Sequence, residues 1–351
     1  MRVNRRTLFE VAVAAAAVLL AFLVGGLVIA FQGHSPIEVY GVFFDEALLE
    51  PLGLGQVLFK TTTLTFTGLA AAFSFRAGLF NIGGEGQLYL GAFACALVGV
   101  GLPTSTPSAV AVPLCVAAAF LGGALAAFVP AVLKAAKGTH EVITTMMMSF
   151  ILLALVNYGL EKVRVPETVR TPEVIAASRL AHLSALESSL RGSDGNFTIF
   201  LSMAAALLVW LVFAWSPLGY DLRAVGYSPK AAEYGGVEVG KLSVVALLVA
   251  GGLAGLGGVN FVLGSPGYFE QNFAPYQGYL GIAVALLARN HPVAIVPAAF
   301  LFSLLAEGGQ AIQPYVPKEL GEILQAVVIL FVVVGSKLVE RAALARPGPS
   351  Q

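Results

Sequence analysis

Apolar runs long enough to cross a bilayer recur along nearly the whole chain, separated by short stretches that hold most of the charges, glycines and prolines. Counting about 20 apolar residues per membrane helix, candidate spans fall at residues 11–31, 56–74, 86–102, 109–133, 142–160, 197–216, 242–263, 278–288, 292–307 and 321–336. This pattern predicts an all-α integral membrane protein of about ten transmembrane helices. The run at 278–288 is too short for a regular tilted helix, so it either borrows residues from 270–277 or is a broken or re-entrant element. The first run exceeds the roughly 7–15 residues of a signal-peptide core, so it reads as a retained helix.

Composition agrees with that picture. Of 351 residues, 58% are hydrophobic and 11% charged, and the mean hydropathy of +0.85 lies outside the soluble range. The formal net charge is zero, and no basic run points to nucleic acid. Placement of the cations is more informative than their sum. With a cytoplasmic N-terminus, alternation puts Arg2, Arg5, Arg6, Arg76, Lys134, Lys137, Arg223, Lys230, Lys241, Arg289, Lys337, Arg341 and Arg346 on the cytoplasmic side. Both termini are then expected to be cytoplasmic. The outer loop 161–196 holds Lys162, Arg164, Arg170, Arg179 and Arg191 beside Glu161, Glu167, Glu173, Glu187 and Asp194, and long loops obey the charge rule only weakly. The organisation expected is a first helix with its outer loop over 1–55, the main transmembrane domain over 56–340 and a cytoplasmic tail over 341–351. A faint echo between "LTFTGLAAAF" and "LVAGGLAGLGG" suggests two loosely related halves, 56–160 and 242–336.

Enzyme chemistry finds little support. "GGVEVGKL" (235–242) lacks the hydroxyl of a phosphate-binding loop, because Leu242 stands where Ser or Thr is needed. "HEVIT" (140–144) lacks the second zinc ligand, since Thr144 occupies its place and the chain has only four histidines. Cys95 and Cys115 lie in apolar spans without metal-ligand spacing and read as core. Gly251 and Gly255 sit at a helix-packing spacing. No catalytic or metal-binding residue is therefore assigned.

What remains is a small set of polar residues at membrane depth, where a charge costs on the order of 2.5–3.5 kcal/mol and is seldom placed without a role. Asn81, Glu85 and Gln87 follow the second span; Glu141, Thr144, Thr145 and Ser149 open the fifth; Asn157, Asn260, Glu307 and Gln310 lie further along the chain. Glu141, Thr145 and Ser149 share one helical face through i, i+4 steps, beside the deformable "MMMSF". That face either lines a path for a polar solute or, for Glu141, caps a helix start. Glu85 either touches solute or holds a broken helix together.

The inner loop over 217–241 differs in kind. It is mixed in charge, broken by Gly219, Gly226, Pro229, Gly235 and Gly236, and contains "PKAAEY", with Pro229 suited to a first helical position and Gly235 to a helix end. A short surface helix results, which either docks on a soluble partner or is a solvated loop.

At this loop the chain resembles a known family. "RAVGYSPKAAEYGGVEVGK" is similar to the coupling loop of ABC-importer permeases, and "FRAGLFNIGGEGQLYLGA" (75–92), "GTHEVITTMMMSFI" (138–151) and "GIAVALLARNHP" (281–292) resemble the ribose and simple-sugar type over roughly 55–340, closest to its nucleoside branch. The resemblance implies a multi-pass permease in the bacterial cytoplasmic (inner) membrane, without an ATPase site or cofactor of its own. ATP is bound by a cytoplasmic ATPase; the other implied partners are a second permease chain, a related heterologous subunit, and an extracytoplasmic binding lipoprotein, beside membrane lipid. By motif position it implies Arg223, Ala224, Gly226, Ala231, Glu233 and Gly235 as the coupling contact. Asn81, Glu85, Glu141 and Thr144, joined by Thr145 and Ser149 from the shared face, are candidates for the translocation path. Ser149 and Phe150 stand where relatives commonly show Asn-Tyr. The alternatives are a simple-sugar permease or a secondary transporter driven by an ion gradient, and the coupling loop argues against the latter.

Overall fold

A computed structural model describes residues 5–317 and isolated positions between 319 and 331. The chain forms α1 (Arg5–Phe31), α2 (Pro36–Phe44), α3 (Pro51–Arg76), α4 (Gly84–Gly101), α5 (Ser108–Lys137), α6 (Glu141–Val163), α7 (Thr198–Trp215), α8 (Pro217–Tyr227), α9 (Pro229–Tyr234), α10 (Val239–Leu256), α11 (Gln277–Leu287) and α12 (Pro292–Ala311). Among the described residues there is no strand, only two isolated bridges, Arg170 with Glu270 and His182 with Asn196. Helices coincide with each of the first nine apolar runs. The tenth run, 321–336, lies largely outside the described residues, as do Arg2, Lys337, Arg341, Arg346 and the 341–351 tail.

The described chain divides into two compact units, one of Gly55–Phe300 and one of the residues up to Leu54 with those from Leu301 onward. In the latter, Phe22 of α1 stacks on Phe44 and meets Tyr40 and Phe43 edge-on. The Tyr40 hydroxyl donates to the Phe22 carbonyl at 2.6 Å, so the ring is packed without an orphaned polar atom.

In the larger unit, α5 crosses α4 and α10 at glycines. A Cβ on Gly123 would lie 2.1 Å from the Gly251 carbonyl, one on Gly255 2.3 Å from the Ala119 carbonyl, and one on Gly91 2.4 Å from the Gly255 Cα. Close backbone approach of this kind is how membrane helices gain dispersion contacts without a hydrophobic drive. The Gly251/Gly255 spacing thus has the packing use expected of it.

Burial does not follow apolarity. Among the described residues, five helices are apolar and long enough to cross a membrane: α5, α6, α7, α10 with its extension to Gly264, and α12. The threonine-rich α3 is absent from that set, yet every residue from Thr61 to Ser74 is buried. A helix surrounded by protein need not be oily. Several of its hydroxyls instead bond back to their own turn, Thr61 to the Val57 carbonyl at 2.7 Å and Thr62 to the Leu58 carbonyl at 2.9 Å.

Three segments depart from, or complete, the sequence reading. Residues 217–227, read as loop, form α8: the Ser216 hydroxyl accepts the Gly219 N–H at 3.0 Å and Pro217 occupies the first turn. Gly219 and Gly226 are contact points within that helix, since a Cβ would meet the Val212 carbonyl at 2.1 Å and the Arg76 carbonyl at 2.2 Å respectively. Second, α11 takes only Gln277 from 270–277. Asn272 and Tyr276 have φ of 59° and 64°, left-handed conformations that stop a helix, so the broken-element alternative describes it. Third, 161–196 is a folded cap: its backbone donates from Thr171 to Phe269, Val174 to Gly267, Ile175 to Gly99 and Leu180 to Leu263 at 2.7–3.1 Å.

Candidate functional site

Between α3 and α4 the chain runs without helix from Ala77 to Gly83, leaving the first N–H groups of α4 without intrahelical partners. The polar face of α6 accepts from one of them and from two N–H groups of the segment before it. Glu141 Oε1 accepts from Phe80 N at 3.4 Å, Thr145 Oγ1 from Ile82 N at 3.2 Å, and Ser149 Oγ from Gly86 N at 2.7 Å. The i, i+4 spacing thus matches a ladder of backbone donors. Asn81 and Gln87 close the turn, their amides exchanging bonds of 3.0 and 3.1 Å while Asn81 Oδ1 also accepts Gly83 N–H at 3.0 Å. Glu141 is paired with Lys134 at 2.7 Å. Thr144 stays apart: half-buried, its hydroxyl reaches only its own helix, at the His140 and Glu141 carbonyls.

Glu85 reaches the other way. Its carboxyl oxygens accept from Tyr276 N at 2.8 Å and Gly278 N at 2.7 Å, capping the start of α11 from the first turn of α4. The two helix starts touch backbone to backbone, because a Cβ on Gly278 would lie 2.2 Å from Glu85 N. Glu85→Ala would strip two donors in a buried place, at about 1–3 kcal/mol each. The expected result is a clearly lower thermal midpoint in detergent, with Glu85→Gln closer to wild type because one oxygen remains; equal midpoints for Glu85→Ala and wild type would refute the capping role.

A second joint lies at Asn260, which opens a π-helical stretch, Asn260–Gly264. Its amide nitrogen donates to the Phe59 carbonyl at 2.9 Å and to Thr63 Oγ1 at 3.0 Å, while its Oδ1 accepts from Asn196 at 3.0 Å. Asn196 in turn holds Thr198 N at the start of α7. Asn260 therefore ties α3, α10 and α7 together. Asn157 is half-buried; Glu307 and Gln310 belong to the other unit.

A third joint surrounds Arg76. Its Nε donates to the Asn290 carbonyl at 2.8 Å and its guanidinium lies 5.1 Å from the Phe213 ring centre. Arg289 and Asn290 turn the chain between α11 and α12 with φ of 51° and 57°. Burial first, and the Arg76 charge second, hold the His291 imidazole below its usual range. α8 rests on the same place through Gly226, and α9 follows it. The Ser228 hydroxyl caps α9 by accepting Ala231 N–H at 3.3 Å, and Gly235 ends it. Arg223 and Ala224 are half-buried on α8, whereas Ala231, Glu233 and Tyr234 are exposed. Beside α9 lies a groove of about 460 Å³ lined by Asp221, Gly235, Gly236, Val237, Glu238, Lys241 and Leu242.

The sequence reading overlooked Tyr276, Asn196 and the Arg289–Asn290 turn. One signal was available: "FEQNFAPYQG" mixes amides and aromatics directly before an apolar run too short to span.

Comparison with known proteins bears on the same residues. The family described as "Branched-chain amino acid transport system / permease component" matches residues 53–333. A glucose ABC transporter permease protein of Haloferax volcanii is 35% identical over 90% of this chain and 85% of its own length. A guanosine ABC transporter permease protein of Bacillus subtilis is 35% identical over 90% and 91% of the two chains. A nucleoside ABC transporter permease protein of Lactococcus lactis subsp. cremoris is 31% identical over 91% and 89%.

Proposed function

The chain belongs to the family of permease components of branched-chain amino acid transport systems, and we propose that it is the membrane subunit of an ABC importer that carries nucleosides. Two of the relatives above, matched over about nine-tenths of this chain, are named for guanosine and nucleosides. In this reading ATP is bound and hydrolysed by a cytoplasmic ATPase, a second, related permease chain completes the pore, and an extracytoplasmic lipoprotein delivers the solute. The protein spans the cytoplasmic membrane with both termini inside. The Arg76 end of the bundle is cytoplasmic and the 161–196 cap faces outward, in keeping with the cation bias.

The observation that carries the coupling part is the exposed α9 beside α8, whose Gly226 packs on the Arg76 carbonyl. Immediately beyond Arg76 lies the non-helical turn that the Glu141, Thr145 and Ser149 ladder holds. ATP-driven closure of the partner must favour one helix packing over another, and a push on α8 would reach that turn, the start of α4 and, through Glu85, α11. Arg223, Ala224, Gly226, Ala231, Glu233 and Gly235 form the docking and transmission surface. Asn81, Glu85, Glu141, Thr144, Thr145 and Ser149 belong to the element that moves beside the path, most of them by holding backbone.

A second reading is favoured by one observation, the 35% identity to the glucose permease. Uptake by vesicles holding the complete transporter separates them. Labelled guanosine is expected to accumulate while ATP is maintained and ion gradients are collapsed, with excess glucose failing to compete. Accumulation that follows an ion gradient would refute the importer, and competition by glucose alone would refute the nucleoside.

A further inference from the structure

We propose that the non-helical segment from Gln271 to Tyr276 forms a wall of the solute path, with the Tyr276 ring as a stacking surface for the nucleobase. The stacking half rests on the nucleoside reading; the water-lined wall does not. Depth comes first. From Glu85 to Gly99, whose carbonyl accepts from Ile175 of the cap, α4 rises about 21 Å. From Gly278 to Leu287, beside the Arg76–Asn290 contact, α11 rises about 14 Å. The Glu85–Gly278 contact therefore lies near the middle of a bilayer whose hydrocarbon core is about 30 Å thick. The segment descends from the cap, where Gln271 N donates to the Val169 carbonyl at 2.9 Å, to that depth, where Tyr276 N meets Glu85.

Its two faces differ. Phe273 packs against Tyr89 and Phe261 with ring centres 4.7 and 4.6 Å apart, and Ala274 is fully buried. Gln271, Asn272, Pro275 and Tyr276 face outward, Tyr276 with 71% of its surface exposed. Irregular backbone carrying amides is not tolerated against lipid at this depth; it lies against protein or lines a water-filled cavity. Tyr276 is moreover held at φ 64°, a strained state for a bulky residue of the kind that collects at functional positions. The Glu85 carboxyl fixes the backbone there and aims the ring outward. A flat ring beside exposed amides suits a solute with one aromatic face and several hydroxyls, since every base offers a π face for stacking.

The test uses the complete importer in vesicles. Tyr276→Cys is expected to react with a membrane-impermeant maleimide, more slowly with excess guanosine present, while Leu121→Cys, at a site 64% exposed on an apolar face, stays unreactive. The native cysteines are both buried. Tyr276→Ala should raise the KM for guanosine uptake about tenfold and Tyr276→Phe by no more than about twofold, as loss and retention of a stacking ring predict. A Tyr276→Cys variant as unreactive as Leu121→Cys would overturn the wall. Labelling of Tyr276→Cys combined with an unchanged guanosine KM in Tyr276→Ala would overturn the stacking. Labelling of Tyr276→Cys with glucose, and not guanosine, as the transported solute would uphold the wall and overturn the nucleoside reading.

Discussion

Gly278→Val is expected to leave almost no monodisperse protein after extraction. A Cβ at this position would stand 2.2 Å from Glu85 N, 2.4 Å from Glu85 Cα and 2.5 Å from Gly84 C, all backbone atoms of the neighbouring helix start. A side chain can rotate away from an intruder, but a helix start must move bodily. Separating α4 from α11 far enough to admit the new side chain would break both bonds from the Glu85 carboxyl, leaving the buried Gly278 donor unpaired. The cost should exceed the roughly 1–3 kcal/mol usual for an overpacked core. Size-exclusion yield and thermal midpoint in detergent measure it, with Gly278→Ala impaired in the same direction. Gly101→Ala, where a Cβ meets nothing within 4 Å, is the control. If Gly278→Val behaves like that control, the contact between the two helix starts is not what it is described to be.

Glu233→Arg is expected to abolish uptake while leaving the protein inserted and folded. Glu233 sits exposed on the six-residue α9, whose inward contact is made by buried Ala232 and whose ends are set by Ser228 and Gly235. Reversing its charge leaves those supports alone. What it alters is the surface offered to an ATPase, and a like-charge or mismatched contact at an interface costs several kcal/mol, enough to reduce binding by well over about tenfold. Both solute uptake and solute-stimulated ATP hydrolysis of the assembled transporter should fall to background, with co-purification of the ATPase weakened. Normal uptake by the variant would sink the assignment of α9 as the coupling contact.

The polar set was legible residue by residue, but its purpose was not. Spacing alone places Glu141, Thr145 and Ser149 on one face, and their neighbours on α6 are correctly apolar. Their partners, however, are the N–H groups of Phe80, Ile82 and Gly86, and backbone donors leave no mark in a sequence. The structural role was one of the two readings open for Glu85, but the same reason hid its partners, the N–H groups of Tyr276 and Gly278, far along the chain. α8 went unseen because Gly219 and Gly226 read as breakers when judged locally, whereas each is small to admit a neighbouring carbonyl. The threonines of α3 lowered its apolarity, and only its burial explains why that is tolerated.

By itself the sequence determined that the chain is built of apolar, membrane-type helices, where the first nine of its apolar runs form them, and that the family motifs lie where they do. These properties follow from hydropathy, cap residues and span length, each of which acts over one helix or less. Tertiary structure alone decided that α4 and α11 begin against each other, that a carboxyl from one caps the other, and that Tyr276 is exposed beside them. Those outcomes depend on which orphaned backbone groups are brought within hydrogen-bond reach of which side chains, and that is set by helix packing at glycine contacts rather than by any local preference.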